Sequence, residues 1–393
     1  MLTFACSDGG TSGDDGEPVV SRTLIVYMGG GEKGVSKDVS LKLNALKAGM
    51  PETDARVVIY VDDLSGGPRL YTLVRKPGQA VAELKQVRVW PGENSADPAV
   101  FGRVIRETVR DYPARSYGLL VFSHASGWLP KGAFGNPSSF GGPVESVSGK
   151  NAPQRTIVQD GTDEMEFSDF ATTVPGGVFD YMVFETCFMG GVETAYELKD
   201  KTRYLVGSAA EIVSPGFTEV YPQALRYLLA SGEEVPAALV SFAEAYFDAW
   251  NIKTGRERSA TIAVVDCSRL EALAEKVRTV FRDNRDAVSS FDPDAVPVQR
   301  LDRFYGLFRD FAHYLRCVSD PMQYAELDAA LREAVIYKAA TPGFFLNVNG
   351  TPHEGGYVIE TFGGLSCYIP AGKYPELDAC YGQTSWAKKI TRP

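Results

Sequence analysis

The feature that most narrows the fold is a set of short apolar runs that do not alternate. Residues 23–28 (Thr-Leu-Ile-Val-Tyr-Met) run into Gly29-Gly30-Gly31 without a charged break. Residues 56–61 repeat the form and stop at Asp62-Asp63. Residues 117–123 stop at His124, residues 179–185 stop two positions before Cys187, and residues 204–207 form a shorter fifth run. A strand with one wet face alternates apolar and polar residues; a strand buried on both faces reads as an unbroken apolar run. Helical spacing separates the runs. Val39, Leu43 and Leu46 share a face in residues 38–49. Asp97-Pro98 is a helix start, an N-cap carboxylate followed by proline at the first helical position. Behind it, Phe101, Ile105 and Val109 recur every four residues, while Arg103, Arg106, Glu107 and Arg110 take the wet side. Strands alternating with helices imply parallel pairing through crossovers, with helices on both faces. The expected fold class is therefore α/β, a three-layer α-β-α sandwich with a mostly parallel central sheet.

Residues 70–74 and 87–90 read as an antiparallel flap. Short helices are expected near 167–170 and 191–198, then helices at 219–230, 235–250, 269–284, 301–316 and 322–338. Strand-like runs fall at 260–266, 344–349 and 364–369, with a break at 284–300. No internal repeat is present. The organisation read from this is a tether over residues 1–20 and one domain over residues 21–393, with helical and strand additions at its C-terminal end.

Composition excludes several functions. The net charge is −10 and no dense Lys/Arg run occurs, so no nucleic-acid partner is expected. No stretch of eighteen apolar residues occurs. The six cysteines, Cys6, Cys187, Cys267, Cys317, Cys367 and Cys380, form no CxxC pair, which argues against zinc ribbons and thioredoxin-type motifs. Only His124, His313 and His353 can supply an imidazole.

Ala5-Cys6 ends a short apolar stretch, like the last residues of a bacterial lipoprotein signal, in which a small residue precedes the cysteine that is lipidated. The acidic, Gly-rich segment from Ser7 to Pro18 cannot bury enough apolar surface to fold. The expectation is an exported lipoprotein, anchored at the outer membrane or cell surface only through lipid on Cys6. The plainer alternative is a disordered tail with an incidental cysteine.

Function in open α/β sheets collects at the carboxyl ends of strands. Two such ends stand out, Phe122-Ser-His124-Ala-Ser-Gly-Trp128 and Phe184-Glu-Thr-Cys187-Phe-Met-Gly-Gly191. A thiol reacts as thiolate, and a neighbouring imidazole raises the thiolate fraction. The two residues meet only if their strands are neighbours, which a crossover near Phe167 permits. Taken singly, each has a plainer reading: the cysteine as packing, the histidine as a satisfied polar residue.

These residues resemble the clostripain-like cysteine peptidases, which share the caspase-type fold and carry a Ser/Asp-His-Gly-x-Gly-Trp box and an Asp-Ala-Cys-x-Met-Gly box. Here the boxes read Ser123 to Trp128 and Glu185 to Gly190. His precedes Cys at a spacing similar to that of caspases, roughly 50 residues. The likeness extends from the opening strand through residues 192–198 and 364–370 to Trp386.

The resemblance implies a cysteine endopeptidase with Cys187 as nucleophile and His124 as its partner. The backbone N–H groups of Cys187 and Ala125 would hold the oxyanion. Cleavage is expected after Arg or Lys, with Glu185 or Glu211 pairing the substrate cation. It implies a protein or peptide substrate, no metal in the chemistry and no cofactor. Separately from the resemblance, the adjacent acids Asp62-Asp63 could bind calcium, which favours hard oxygen ligands. A monomer is expected.

Three departures stand out. Ala125 replaces a usual glycine, which matters if that position needs φ > 0. Glu185 replaces an aspartate. The stretch Gly207 to Phe217 lacks an Asp after Pro215-Gly216. They motivate a second reading, a catalytically weak or inactive surface lipoprotein that binds a protein partner. Peptide ligation through the same dyad is a third. In the long stretch between His and Cys, Lys131, Lys150 and Arg155 are candidate self-cleavage sites, against an uncut surface loop. Asp160 resembles a family position; His313 is read as packing and His353 as exposed.

Overall fold

The structure, a computed structural model, describes residues 17–31, 33–143 and 156–391. Cys6, Lys150 and Arg155 lie outside these.

The apolar runs become the centre of one sheet. Strands β1 (Thr23–Gly30), β2 (Arg56–Asp63), β5 (Tyr117–Phe122), β8 (Phe179–Glu185) and β9 (Thr202–Gly207) pair in parallel, in the order β9-β8-β5-β1-β2. β3 (Arg69–Val74) and β4 (Glu83–Val89) add the expected antiparallel flap beyond β2. On the other side β10 (Thr261–Asp266) pairs antiparallel with β9, and strand Val335–Ala340 pairs antiparallel with β10. A small ribbon, β6 (Ile157–Asp160) with β7 (Asp163–Met165), touches the end of β1.

Helices cover both faces, as the non-alternating runs require. Leu24, Val26 and Met28 of β1 face the layer that holds α1 (Lys33–Gly49), the short α5 (Tyr221–Ala224) and α6 (Val235–Asn251). Ile25 and Tyr27 face the layer of α2 (Pro98–Asp111), α3 (Phe167–Thr173), α4 (Val192–Glu197) and α7 (Leu270–Asp283). The N-cap of α2 is Asp97, whose carboxylate accepts from the Ala99 N–H at 2.8 Å.

The chain runs from β1 to β2 on one side, then returns through α2 to β5 on the other. The sheet therefore changes direction at β1, and a crevice opens beyond the carboxyl ends of the strands there. Gly31 is needed at this end, because a Cβ would fall 1.8 Å from Asp160 Oδ1.

Two C-terminal expectations are corrected. Residues 301–316 do not form one helix; only Phe311–Cys317 does. Asp302 is fully buried, and its carboxylate accepts from the N–H groups of Phe304, Tyr305, Gly306 and Phe308. Those donors are thereby drawn into a turn and lost to helical bonding. The helix expected at 322–338 ends at Ala334, and Val335-Ile-Tyr337 continue as an edge strand. The 344–349 run is one arm of a hairpin, Gly343–Leu346 with Pro352–Val358.

Candidate active site

The ladder between β5 and β8 sets the geometry. Its last pair is Phe122 with Glu185, so His124 and Cys187 each stand two residues beyond the end of adjacent parallel strands. Both line one cleft of about 250 Å³, together with Asp38 of α1 and the segment Ile212 to Gly216. The two residues singled out in the sequence are brought to one place.

The turn around the thiol is held from several sides. The Ile212 N–H donates to Cys187 Sγ at 3.4 Å. The next residue, Phe188, has φ 61°, a conformation that costs a side-chain-bearing residue about 1–3 kcal/mol. Packing offsets this: its ring stacks on Phe308 at 4.3 Å and lies 4.9 Å from Phe134, and its N–H donates to Ala210 O at 2.9 Å.

The box residues now have physical roles. Gly127 also has φ 61°, and a Cβ there would sit 2.8 Å from the Phe188 carbonyl oxygen. Gly190 lets the end of β8 approach β9, since a Cβ would fall 2.7 Å from Ala209 N. Trp128 packs edge-on against Tyr368 and Tyr381. Ser123 Oγ donates to Gly29 O at 2.6 Å and accepts from Gln159 N at 3.1 Å, tying the histidine turn to β1 and β6. The carbonyl of His124 accepts from Val158 N at 3.2 Å. Ala125 is buried and lies outside the left-handed region, so its Cβ carries no strain there.

The two candidate acids are placed differently from the expectation. Glu185 lines the cleft but is nearly fully buried and serves the protein itself. Its Oε1 accepts from Lys42 Nζ and from the Phe217 N–H, and its Oε2 accepts from the Tyr221 hydroxyl at 2.6 Å. Burial lowers the pKa of Lys42, and the charge of Glu185 opposes that shift. Burial and Glu185 together hold the Tyr221 hydroxyl protonated. Glu211 lies outside the cleft lining; its Oε1 is 3.9 Å from Arg303 Nη1.

Sequence reasoning missed Lys42 and Asp38. The signal was present: two polar residues one helical turn apart, among Val35, Val39 and Leu46 on the face of α1 that is buried.

The remaining candidates sit elsewhere. Lys131 is exposed, in a turn where its N–H donates to Glu166 at 3.0 Å. His313 Nδ1 accepts from Gln299 N at 3.2 Å, and His353 Nε2 lies 3.1 Å from Arg256. Asp63 is paired with Arg69 at 2.8 Å. Asp62 and Asp160 share the Ser95 N–H; burial, with the Asp160 charge adding, pushes Asp62 up to about 7.

A model of the clostripain family matches residues 26–305. The chain belongs to the clostripain family. It is a cysteine-type endopeptidase, and its caspase-like sandwich is the fold of its structural neighbours. An inactive zymogen C11 protease from Parabacteroides distasonis superposes with a TM-score of 0.78 at 25% identity, over 95% of this chain and 99% of that one. A secreted C11 cysteine protease from Bacteroides thetaiotaomicron, iotapain, gives 0.76 at 20% identity, over 95% and 100%. A secreted C11 cysteine protease from the same organism, in complex with an irreversible peptide inhibitor, gives 0.74 at 24% identity, over 94% and 98%. No curated protein sequence matches the chain.

Proposed function

We propose that this clostripain-family protein hydrolyses peptide bonds through a Cys187/His124 dyad, after Arg or Lys. The supporting observation is the β5–β8 register, which carries both residues to one cleft. His124 takes the thiol proton, and the thiolate adds to the scissile carbonyl. The backbone N–H groups of Cys187 and Ala125 hold the oxyanion. The imidazolium returns the proton to the leaving amine, and water then hydrolyses the acyl-enzyme with His124 as base. No metal or cofactor enters these steps. A basic side chain suits the cleft, because its lining includes two carboxyl side chains, Asp38 and Glu185, and the lining cation Lys37 is exposed at its rim.

The test is hydrolysis of a fluorogenic peptide library by wild type, Cys187→Ala and His124→Ala, in thiol reductant, with and without calcium. Cleavage after Arg or Lys by wild type alone is expected. An inert wild type under every condition would refute the reading. The non-catalytic alternative drew on Ala125 and on the altered acid positions; the ordinary φ of Ala125 weighs against the first of these grounds.

We further propose that the protein is exported and acts as a monomer, tethered through lipid on Cys6. The support is the small residue before Cys6 and the acidic stretch after it; the similar protease from B. thetaiotaomicron is described as secreted. Radiolabelled palmitate incorporated by wild type but not by Cys6→Ser is expected, and equal incorporation would rule it out.

A further inference from the structure

Two carboxylates stand in the wall of the cleft beside Cys187, and they are not equivalent. Glu185 accepts from an ammonium, a backbone N–H and a phenol. The ammonium is Lys42, which is itself held in place. It donates to Glu185, to Pro215 O at 3.0 Å and to Thr218 Oγ1 at 2.8 Å, and it lies 4.1 Å from the centroid of the Phe122 ring. An ammonium has three N–H bonds, so all of its donors are used. Three of the roughly four acceptor positions of Glu185 are thus taken within the protein, and its side chain is almost wholly buried.

Asp38 lies one turn earlier on the same face of α1. Its Oδ2 accepts from Ser214 Oγ at 2.7 Å. Ser214 also lines the cleft, on the segment after β9, so this bond ties the carboxylate of α1 to that segment. A carboxylate has about four acceptor positions, and one hydroxyl takes only one of them. Asp38 forms no ion pair with a cation among the described residues.

We propose that Asp38, oriented by Ser214, receives the cationic side chain of the substrate residue before the scissile bond. Lys42 is then an internal counter-cation that withdraws Glu185 from substrate recognition. The assignment rests on the reading of the protein as a peptidase that cleaves after Arg or Lys. It moves the specificity-determining charge from the cysteine strand to the first helix.

The experiment compares full-length wild type, Asp38→Asn and Asp38→Glu on matched peptides with Arg, Lys or Ala before the cleaved bond. Alkylation of Cys187 by iodoacetamide reports whether each variant keeps a reactive thiol. In Asp38→Asn, the ratio of kcat/KM for Arg over Ala should fall by about 100-fold, the scale expected when one partner of a desolvated charge pair is neutralised. Asp38→Glu should recover most of the ratio. An unchanged ratio in an Asp38→Asn protein whose thiol still reacts overturns the assignment and leaves the peptidase reading standing. Wild type that prefers Ala overturns it as well. Wild type that cleaves nothing defeats the assignment and the underlying reading together. If Asp38→Asn does not fold, loss of the Arg preference in Ser214→Ala supports the assignment, and its retention there counts against it.

Discussion

Lys42 and Glu185 form a buried ion pair at the wall of the cleft, linking the first helix to the strand that leads to Cys187. The pair also spans β5 and β8, because Lys42 faces Phe122 of β5 while it bonds Glu185 of β8. Whatever fixes this pair fixes the ends of the strands that lead to His124 and Cys187.

Removing one partner should therefore be costly. Lys42→Met leaves Glu185 buried without its counter-charge, and is expected to destabilise by about 3–5 kcal/mol. Lys42→Met combined with Glu185→Gln should recover a large part of that loss. Urea denaturation of the three variants and wild type measures both effects. Simple additivity of the single losses would argue against the coupling.

Cysteine reactivity should be selective. Burial pushes the thiols of Cys267, Cys317, Cys367 and Cys380 upward, which lowers their thiolate fraction. Iodoacetamide at pH 7 is expected to modify Cys187 at least about 10-fold faster than these four, judged by thiolate fraction. Peptide mapping by mass spectrometry gives the rates, and the preference should disappear in His124→Ala.

Gly127→Ala tests the contact between the two boxes. The new Cβ would strain a φ of 61° and press on the Phe188 carbonyl oxygen. A destabilisation of about 1–3 kcal/mol is expected, with a fall in kcat because the turn that bears Cys187 must shift. Wild-type kcat in this variant would show that the turn is not set by the glycine.

Stability should fall as pH rises through neutrality. Glu193 is fully buried, and burial pushes its carboxyl up to about 8 from an ordinary 4.5, although the Tyr368 N–H donates to it at 2.7 Å. A carboxyl whose folded pKa is raised favours folding while protonated. Its contribution is complete below about pH 4.5 and lost through about pH 8, with a slope of at most about 1.4 kcal/mol per pH unit. Glu193→Gln should flatten the dependence of urea midpoints between pH 5 and 8. A profile identical to wild type would remove Glu193 from the account.

Much of this was legible in the chain itself. The strands β1, β5 and β8 could be read because burial on both faces forces an unbroken apolar run, and His124 and Cys187 because both boxes end such runs. The parts that were not legible depend on long-range pairing. Lys42 and Glu185 are 143 positions apart, and nothing local to either marks the other. Asp302 breaks a helical pattern by gathering four backbone donors, an effect of burial that periodicity cannot register. Val335-Ile-Tyr337 looked helical beside Leu331 and became a strand because β10 offered a free edge.

The ladder that ends at Phe122 and Glu185 has a consequence for how members of such a lineage can diverge. The separation of imidazole and sulfur is a property of two hydrogen-bonded neighbours, not of the polypeptide that joins them. Insertions or deletions between the segments of that stretch that touch the two turns can accumulate without altering this geometry, provided both strands keep their apolar faces. Variation should thus be permitted in the connection and forbidden in the rungs.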